Sequence, residues 1–500
     1  MPSVPQSAAL SRRLSRDNLR DLPRDARRPL YDWTAVTPGI VHLGVGAFHR
    51  AHQAIYVEDA LEAGHLTWGI VAASLRSPDT RDALMPQDGL YTLAVRSAEG
   101  EQLRVIGAIR NVLVAPENPT ALLAAMADRR TRIVMLTVTE KGYCHDPATG
   151  ELNDSHTDIR HDLASPRAPR SAPGFLVEAL RLRRAAGLQP FTTVTCDNLP
   201  ANGQTVRRVV CRLANLLNRD LGDFVTNEVA FPSTMVDRIV PATTDTDRDA
   251  IARRLGLFDA WPVVTEPFTQ WVIEDHFTAG RPRFEEFGAE LVKDVAPYET
   301  MKLRLLNGSH STLAYLGYLA GHETIADTMA DEPFARLARN LMDQETGPTL
   351  SLPRGADVEA YKRSLIERFR NPALRHRTWQ IAMDGSQKLP QRLLAAARER
   401  IAKGEPIPRI ALGVAAWMRY VAGVDERGGP IDVRDPLAAR LRALADGAGQ
   451  DAARLSKALL GVREMFGEDL PLREEFAGPV TKALALLLDV GARETARLTA

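Results

Sequence analysis

The stretch Ile40-Val41-His42-Leu43-Gly44-Val45-Gly46, followed by Ala51-His52-Gln53-Ala54-Ile55-Tyr56-Val57, decides how this chain folds. Ile40 to Leu43 is a short apolar run of strand length, the glycines mark a tight turn, and the run from Ala51 reads as a helix. Strand, glycine turn and helix in that order open a βαβ unit. Glycines at this point let the backbone approach a pyrophosphate, whose charge the first turn of the following helix favours. The expected ligand is a dinucleotide, bound along Gly44, Val45, Gly46, Ala47 and Phe48. The fingerprint is incomplete, because His49 occupies the place of a third glycine or alanine. The next strand ends in Ser74-Leu75-Arg76, where an acidic residue would normally take the ribose hydroxyls. Ser74 is the residue expected near the ribose, and Arg76 keeps NADP in play beside NAD.

Outward from this unit, strands are expected at Gly69 to Ala73, Ile133 to Val138, Phe191 to Cys196 and Phe224 to Thr226. Helical segments such as Pro119 to Asp128 and Phe175 to Ala186 alternate with them. Near-continuous apolar strands between helices imply a parallel sheet covered on both faces, hence an α/β domain over 38–290. Beyond about residue 290 the β-branched runs fade. Leu/Ala/Arg periodic stretches such as Leu389 to Ala402 and Asp451 to Phe466 predict a mainly α-helical domain over 291–500, with loops at 347–357 and 425–435. Residues 1–37 read as an N-terminal extension. Its seven arginines from Arg12 to Arg28, mixed with Asp17, Asp21 and Asp25, predict a short solvated helix or a frayed tail.

Composition bounds the function. Over 500 residues, 63 lysines and arginines balance 63 aspartates and glutamates, so no global field draws the chain to nucleic acid or an anionic membrane. Cys144, Cys196 and Cys211 are an odd number without C-x-x-C spacing, which argues against a disulfide framework or structural zinc and suits the cytoplasm. No run approaches the ~18 apolar residues of a membrane span, nor is there a signal-peptide core. The expected partner is a small molecule, and the expected state a monomer or small homo-oligomer.

The segment Lys302-Leu303-Arg304-Leu305-Leu306-Asn307-Gly308-Ser309-His310 holds the most promising chemistry. On an α-helix with Lys302 at the origin, His310 falls at about 80° and Asn307 at about 140°, so all three can lean into one cavity. A lysine acts as general base only if its pKa drops from about 10.4 toward 7, which burial beside a cation such as His310 would favour. Asn307 would then hydrogen-bond the oxygen on which charge develops. The competing reading is an amphipathic helix with its leucines inside and with Lys302 and His310 in water. Asp197-Asn198 follows a strand, at the sheet edge where open α/β sheets bind ligands, and Asn198 is a second amide donor. Thr139-Glu140-Lys141-Gly142-Tyr143 occupies an equivalent edge, with Thr139 and Glu140 on the nicotinamide side. Asp237 reads either as an acceptor for a substrate hydroxyl or as a structural partner of Arg238. Lys388, in Asp384-Gly385-Ser386-Gln387-Lys388, is available to an oxygen-rich substrate. Gly321-His322-Glu323 superficially matches a zinc-ligand tripeptide, but catalytic zinc needs three ligands and no cysteine cluster supplies the others. No metal is expected in the catalytic chemistry.

Taken together, Gly44 through Gln53, Thr137 through Tyr143, Cys196-Asp197-Asn198, Met235 through Ile239 and Lys302 through His310 resemble the mannitol dehydrogenase family of polyol-specific long-chain dehydrogenases. The resemblance runs from about residue 38 nearly to the C-terminus. It implies a Rossmann-like N-terminal domain, a mainly helical C-terminal domain, a metal-free active site between them, and NAD as cofactor with NADP not excluded. It implies Lys302 as general base, Asn198 and Asn307 as the oxyanion site, and His310, Asp237 and Lys388 as substrate contacts. The Phe48-His49-Arg50 loop matches the family's own form of the glycine turn. Arg375 through Arg392 and Trp417 through Tyr420 are similar to the family's fructuronate reductase branch, which acts on D-mannonate and D-fructuronate. The alternative is the mannitol 2-dehydrogenase branch or a related polyol or hexonate dehydrogenase, where an arginine tends to stand in place of Gln380. A hexuronate carries a carboxylate, for which Lys388, Arg392 and Arg377 are the candidate cations.

Overall fold

The computed structural model describes residues 12–146, 149–352 and 356–500. Contacts divide the chain into two compact units, Met1–Ala296 and Pro297–Ala500.

Strands of the first unit, among the described residues, are β1 (Pro38–Leu43), β2 (Gly69–Ser74), β3 (Tyr91–Ser97), β4 (Gly100–Ile106), β5 (Ile109–Val114), β6 (Ile133–Leu136), β7 (Thr192–Thr195), β8 (Thr234–Asp237), β9 (Val263–Thr265), β10 (Gln270–Glu274) and β11 (Glu290–Val292). Five of them form a wholly parallel sheet in the order β5-β2-β1-β6-β7. Alternate residues serve opposite faces, as the two-residue period of a strand requires. Val41, Leu43, Val134 and Leu136 join one core with the helices Pro119–Ala127, Ala172–Ala185 and Asn202–Leu217. Ile40, Ile133 and Met135 join the other, with Tyr56, Val57 and Trp271. Burial on both faces explains why these strands read as continuous apolar runs. Two three-stranded sheets, β11-β10-β8 and β4-β3-β9, complete the unit.

The structure corrects two expectations here. Phe224 to Thr226 is not a strand but lies in the helix Arg219–Glu228, which buries Leu221, Phe224 and Val225 along one stripe. The arginine-rich stretch is not a solvated tail where it is described. It carries a 3₁₀ turn at Arg16–Asp21 and buries Leu14, Leu19, Leu22 and Ala26 against Leu90, Leu103, Val105 and Ile251. Isolated bridges pair Arg13 with Phe258 and Arg27 with Arg104. Leucines spaced between the arginines supply the inward face; the arginines' charged ends stay outside. Residues 1–11 of the expected extension lie outside the described residues.

Among the described residues the second unit has no named strand. The helix Pro408–Val421 packs along Glu474–Thr499 and against Gly308–Leu319. Gly413 makes the second approach possible, since a Cβ there would lie 2.6 Å from Thr312 Oγ1. Three π-helical segments interrupt the α-helices: Lys302–Asn307, Leu341–Thr346 and Pro390–Leu394. The periodic stretch from Leu389 to Ala402 is helical, as a π segment followed by the helix Ala395–Ala402. Part of the loop expected at 347–357 lies outside the described residues. No helix among them is long and apolar enough to cross a membrane.

Candidate active site

In the first unit the candidate residues gather at the carboxyl edge of the parallel sheet. Strands β1, β2, β6 and β7 end in register, with Leu43 opposite Ala73 and Leu136, and Leu136 opposite Thr195. The chain leaves β1 for β2 on one side and returns to β6 on the other, so the Gly44–Gly46 turn lies at the switch point where such sheets open a crevice. Gly44 has φ +92°, and a Cβ there would sit 2.0 Å from the Thr137 carbonyl. Only glycine fits that position. Gly46 differs, because a Cβ on it would meet nothing within 4 Å. Its exposed backbone, at the head of the turn Ala47–Ala51, leaves a cradle of the kind a pyrophosphate needs.

The residues that break the glycine fingerprint anchor this loop. His49 is buried with its ring 3.4 Å from that of His42. The Arg50 guanidinium donates to the Trp261 carbonyl, and the Tyr91 hydroxyl donates to the Arg50 carbonyl at 2.6 Å. Ser74 closes β2, and Arg76 beyond it is exposed.

Asp197 organises the neighbouring edge. Its carboxylate accepts the Val138 and Thr139 N–H groups at 2.9 and 3.0 Å and the Tyr143 hydroxyl at 2.6 Å. Burial raises its pKa, and these three donors oppose the rise. Thr139, held at φ 64°, and Glu140 are thereby fixed beyond β6, and Asn198 is exposed beyond β7. Asn202 opens the helix Asn202–Leu217 and cross-links two strand ends. Its amide donates to the carbonyls of Asp197 (3.1 Å) and Thr234 (2.8 Å) and accepts the Thr234 N–H (3.0 Å). Asp237 ends β8 and is buried. Arg238 sends its guanidinium to the carbonyls of Ala51 and Glu266.

In the second unit Lys302 opens a π-helical segment that ends at Asn307, and His310 lies one turn into the helix that follows. The α-helical angles expected for these residues are therefore shifted, because a π turn takes an extra residue. Lys302 and His310 are 8% and 7% exposed, which removes the reading in which both are solvated. Arg304 fixes the segment through two hydrogen bonds to Glu399 and one of 2.9 Å to the Thr349 carbonyl. Gly308 lets the π segment Pro390–Leu394 come close, since a Cβ there would lie 2.9 Å from the Arg392 carbonyl.

His310 stacks on Phe369 at 5.1 Å and meets the edge of His376 at 4.8 Å. Its buried Nε2 has no hydrogen-bond partner among the described residues. Burial first, then His376, Arg392, Arg368 and Lys388, push its pKa well below 6.5. The expectation that a cationic His310 lowers the Lys302 pKa is therefore corrected: an imidazole buried among cations stays neutral. Arg392 donates to Ser311 Oγ at 2.9 Å, and Lys388 to the Met383 carbonyl at 2.6 Å. Arg377 is exposed and lies 3.6 Å from Glu323, outside this group. Arg368 escaped the sequence reading because it stands in no motif, while His376 lies within the Arg375 to Arg392 segment and had no role assigned to it. His322 and Glu323 do not converge on a metal: His322 is 3.6 Å from Asp331, and Glu323 faces Arg375 and Arg377.

A switch-point glycine cradle, followed in sequence by a helical unit that buries a lysine and an imidazole, belongs to the class of NAD-dependent dehydrogenases. The chain belongs to the mannitol dehydrogenase family: the family model for the Rossmann domain matches residues 38–286 and that for the C-terminal domain residues 294–488. It is 50% identical over 472 residues to D-mannonate oxidoreductase of Escherichia coli strain K12, covering 93% of this chain and 96% of that protein. It is 44% identical over 458 residues to mannitol 2-dehydrogenase of Aspergillus fumigatus, covering 90% of each. The structure of Pseudomonas fluorescens mannitol 2-dehydrogenase in ternary complex with NAD and D-mannitol superposes with a TM-score of 0.88 at 41% identity, covering 97% of this chain and 99% of that one.

Proposed function

We propose that the chain is a cytoplasmic, NAD-dependent oxidoreductase that interconverts D-mannonate and D-fructuronate by metal-free hydride transfer. The observation that carries this reading is the set of cations around His310. Arg392, Arg368 and Lys388 all bear on one buried, neutral imidazole. A hexuronate offers a carboxylate that guanidinium and ammonium groups bind strongly. The 50% identity to the E. coli D-mannonate oxidoreductase supports the same substrate, and the NAD of the P. fluorescens complex supports the cofactor.

In this reading Gly44, Val45, Gly46, Ala47 and Phe48 would hold the dinucleotide, with Ser74, Thr139 and Glu140 as its further contacts. The nicotinamide supplies the hydride acceptor for oxidation. Lys302 takes the proton of the reacting hydroxyl as its carbon gives up a hydride, so alcohol becomes ketone with no other co-reactant. Asn198 and Asn307 hydrogen-bond the oxygen as charge develops on it. A neutral His310 can donate to or accept from a substrate hydroxyl, while Asp237, Lys388 and Arg392 hold the rest of the chain. Oxidation of NADH and of NADPH, followed at 340 nm with fructuronate, tagaturonate and fructose offered separately, tests the proposal. Fastest turnover of fructuronate with NADH is expected. Faster reduction of fructose would assign the mannitol 2-dehydrogenase activity instead.

A further inference from the structure

We propose that Cys144, His156 and Asp158 form a non-catalytic binding site for a zinc-type divalent metal ion. One donor atom from each lies within 4.8 Å of the others, and no other such group of His, Cys, Asp and Glu occurs among the described residues. The site is independent of the proposed dehydrogenase reading.

The backbone brings these donors together. Cys144 sits in the left-handed region at φ 52°, and its carbonyl accepts the Asn153 N–H at 2.9 Å. An isolated bridge pairs His145 with Leu152, and the His156 N–H returns to the Asn153 carbonyl at 3.0 Å. His156 then caps the helix Thr157–Ala164, its Nδ1 accepting the Asp158 N–H at 3.2 Å. That bond is long, and coordination through Nδ1 would replace it. The same Nδ1 lies 3.9 Å from Asp158 Oδ2, too far for a hydrogen bond. Donors around a tetrahedral zinc are separated by roughly 3.3–3.6 Å, from bond lengths near 2.0–2.3 Å. Closing the cluster therefore needs about an ångström of movement, which the half-buried to exposed side chains of His156 and Asp158 allow. Among the described residues the Cys144 sulfur makes one hydrogen-bond contact, at 4.0 Å to the Gly142 carbonyl.

The ligand set selects the metal. Thiolate and imidazole favour zinc or a similar transition ion over calcium and magnesium, and three protein ligands leave a fourth position for water. Bound there, the ion would fasten Cys144 to the start of the helix Thr157–Ala164. It would also steady Tyr143, whose hydroxyl reaches Asp197 beside the nucleotide loop.

The test is titration of the chelator-treated full-length protein with Co²⁺, followed by its thiolate charge-transfer and visible d–d absorption. One ion per chain with a thiolate band, bleached by added Zn²⁺, is expected. Cys144→Ser should abolish the band, and His156→Gln and Asp158→Asn should each weaken binding at least tenfold. Replacing Cys196 and Cys211 together by serine should leave it intact. No thiolate band in the parent protein would overturn the proposal. So would a band that survives Cys144→Ser, or affinity unchanged in both His156→Gln and Asp158→Asn; the latter pair lies at the surface and tests the site even if the cysteine variant does not fold.

Discussion

Lys302 is buried at the start of a π turn, and the proposed chemistry gives it one task, removal of a proton. Lys302→Ala should therefore lower turnover by about 10²–10⁴-fold while leaving dinucleotide affinity, read by quenching of protein fluorescence, within about twofold. Unchanged turnover would take the base role from Lys302. The two glycines of the β1 turn should behave differently under one substitution. Gly44→Ala forces a side chain into a left-handed backbone and against the Thr137 carbonyl, costing at least ~1–3 kcal/mol. Its melting temperature should fall even without ligand. Gly46→Ala meets nothing in the protein, so the unliganded melting point should barely move while dinucleotide binding weakens, the methyl having entered the cradle. Equal destabilisation by both would mean that Gly46 has a structural duty after all.

Among the elements, the loop after β6 depends on Asp197. Asp197→Ala leaves the Val138 and Thr139 N–H groups unpaired, at about 1–3 kcal/mol for each that stays buried. Faster hydrogen exchange at those two amides, with the distant helix Pro408–Val421 unaffected, is the expected outcome; unchanged protection would show that Tyr143 and the strand end hold the loop alone. The legibility of such elements in the sequence followed from how local their causes are. The parallel strands were readable because burial on both faces makes each an apolar run, and the Gly44 turn because its glycine is sterically obligatory. Phe224 to Thr226 misled, since a β-branched and aromatic trio looks like a strand when the stripe it belongs to spans a longer helix. The segment from Lys302 to His310 was legible in composition but not in geometry, because α-helical periodicity carries no sign of a π turn. Asn202 and His376 also make contacts 32 or more positions away in sequence, as in the Asn202–Thr234 and His310–His376 contacts, and Arg368 acts through charge. No local pattern announces them.

At the scale of the molecule, buried ionisable groups set how stability depends on pH. Burial holds His42 down to about 3 and His376 to about 4, and keeps His49 and His310 well below 6.5. Each of these groups stabilises the fold fully above 6.5, and that contribution is lost as pH falls toward the folded value, because the unfolded chain takes up the protons first. Glu58 runs the other way. Burial raises it to about 7, so its contribution is complete below 4.5 and is lost as pH rises through 7. The stability difference between the parent protein and His376→Phe should fall by about 1–3 kcal/mol between pH 6.5 and 4, and that between the parent and Glu58→Gln should fall as pH rises from 4.5 to 7. Unfolding curves in a pH series check both signs; a flat difference in either case would mean that the group titrates in the folded chain as it does in the unfolded one. The buried leucines between the first arginines bear on a practical matter, the choice of where to trim the protein for crystallisation. A shortened chain beginning at residue 38, where the family match starts, would strip Leu14, Leu19, Leu22 and Ala26 from Leu103, Val105 and Ile251. It would uncover a greasy strip along the β3–β4 hairpin, and its predictable failing would be clumping rather than loss of the reaction centre.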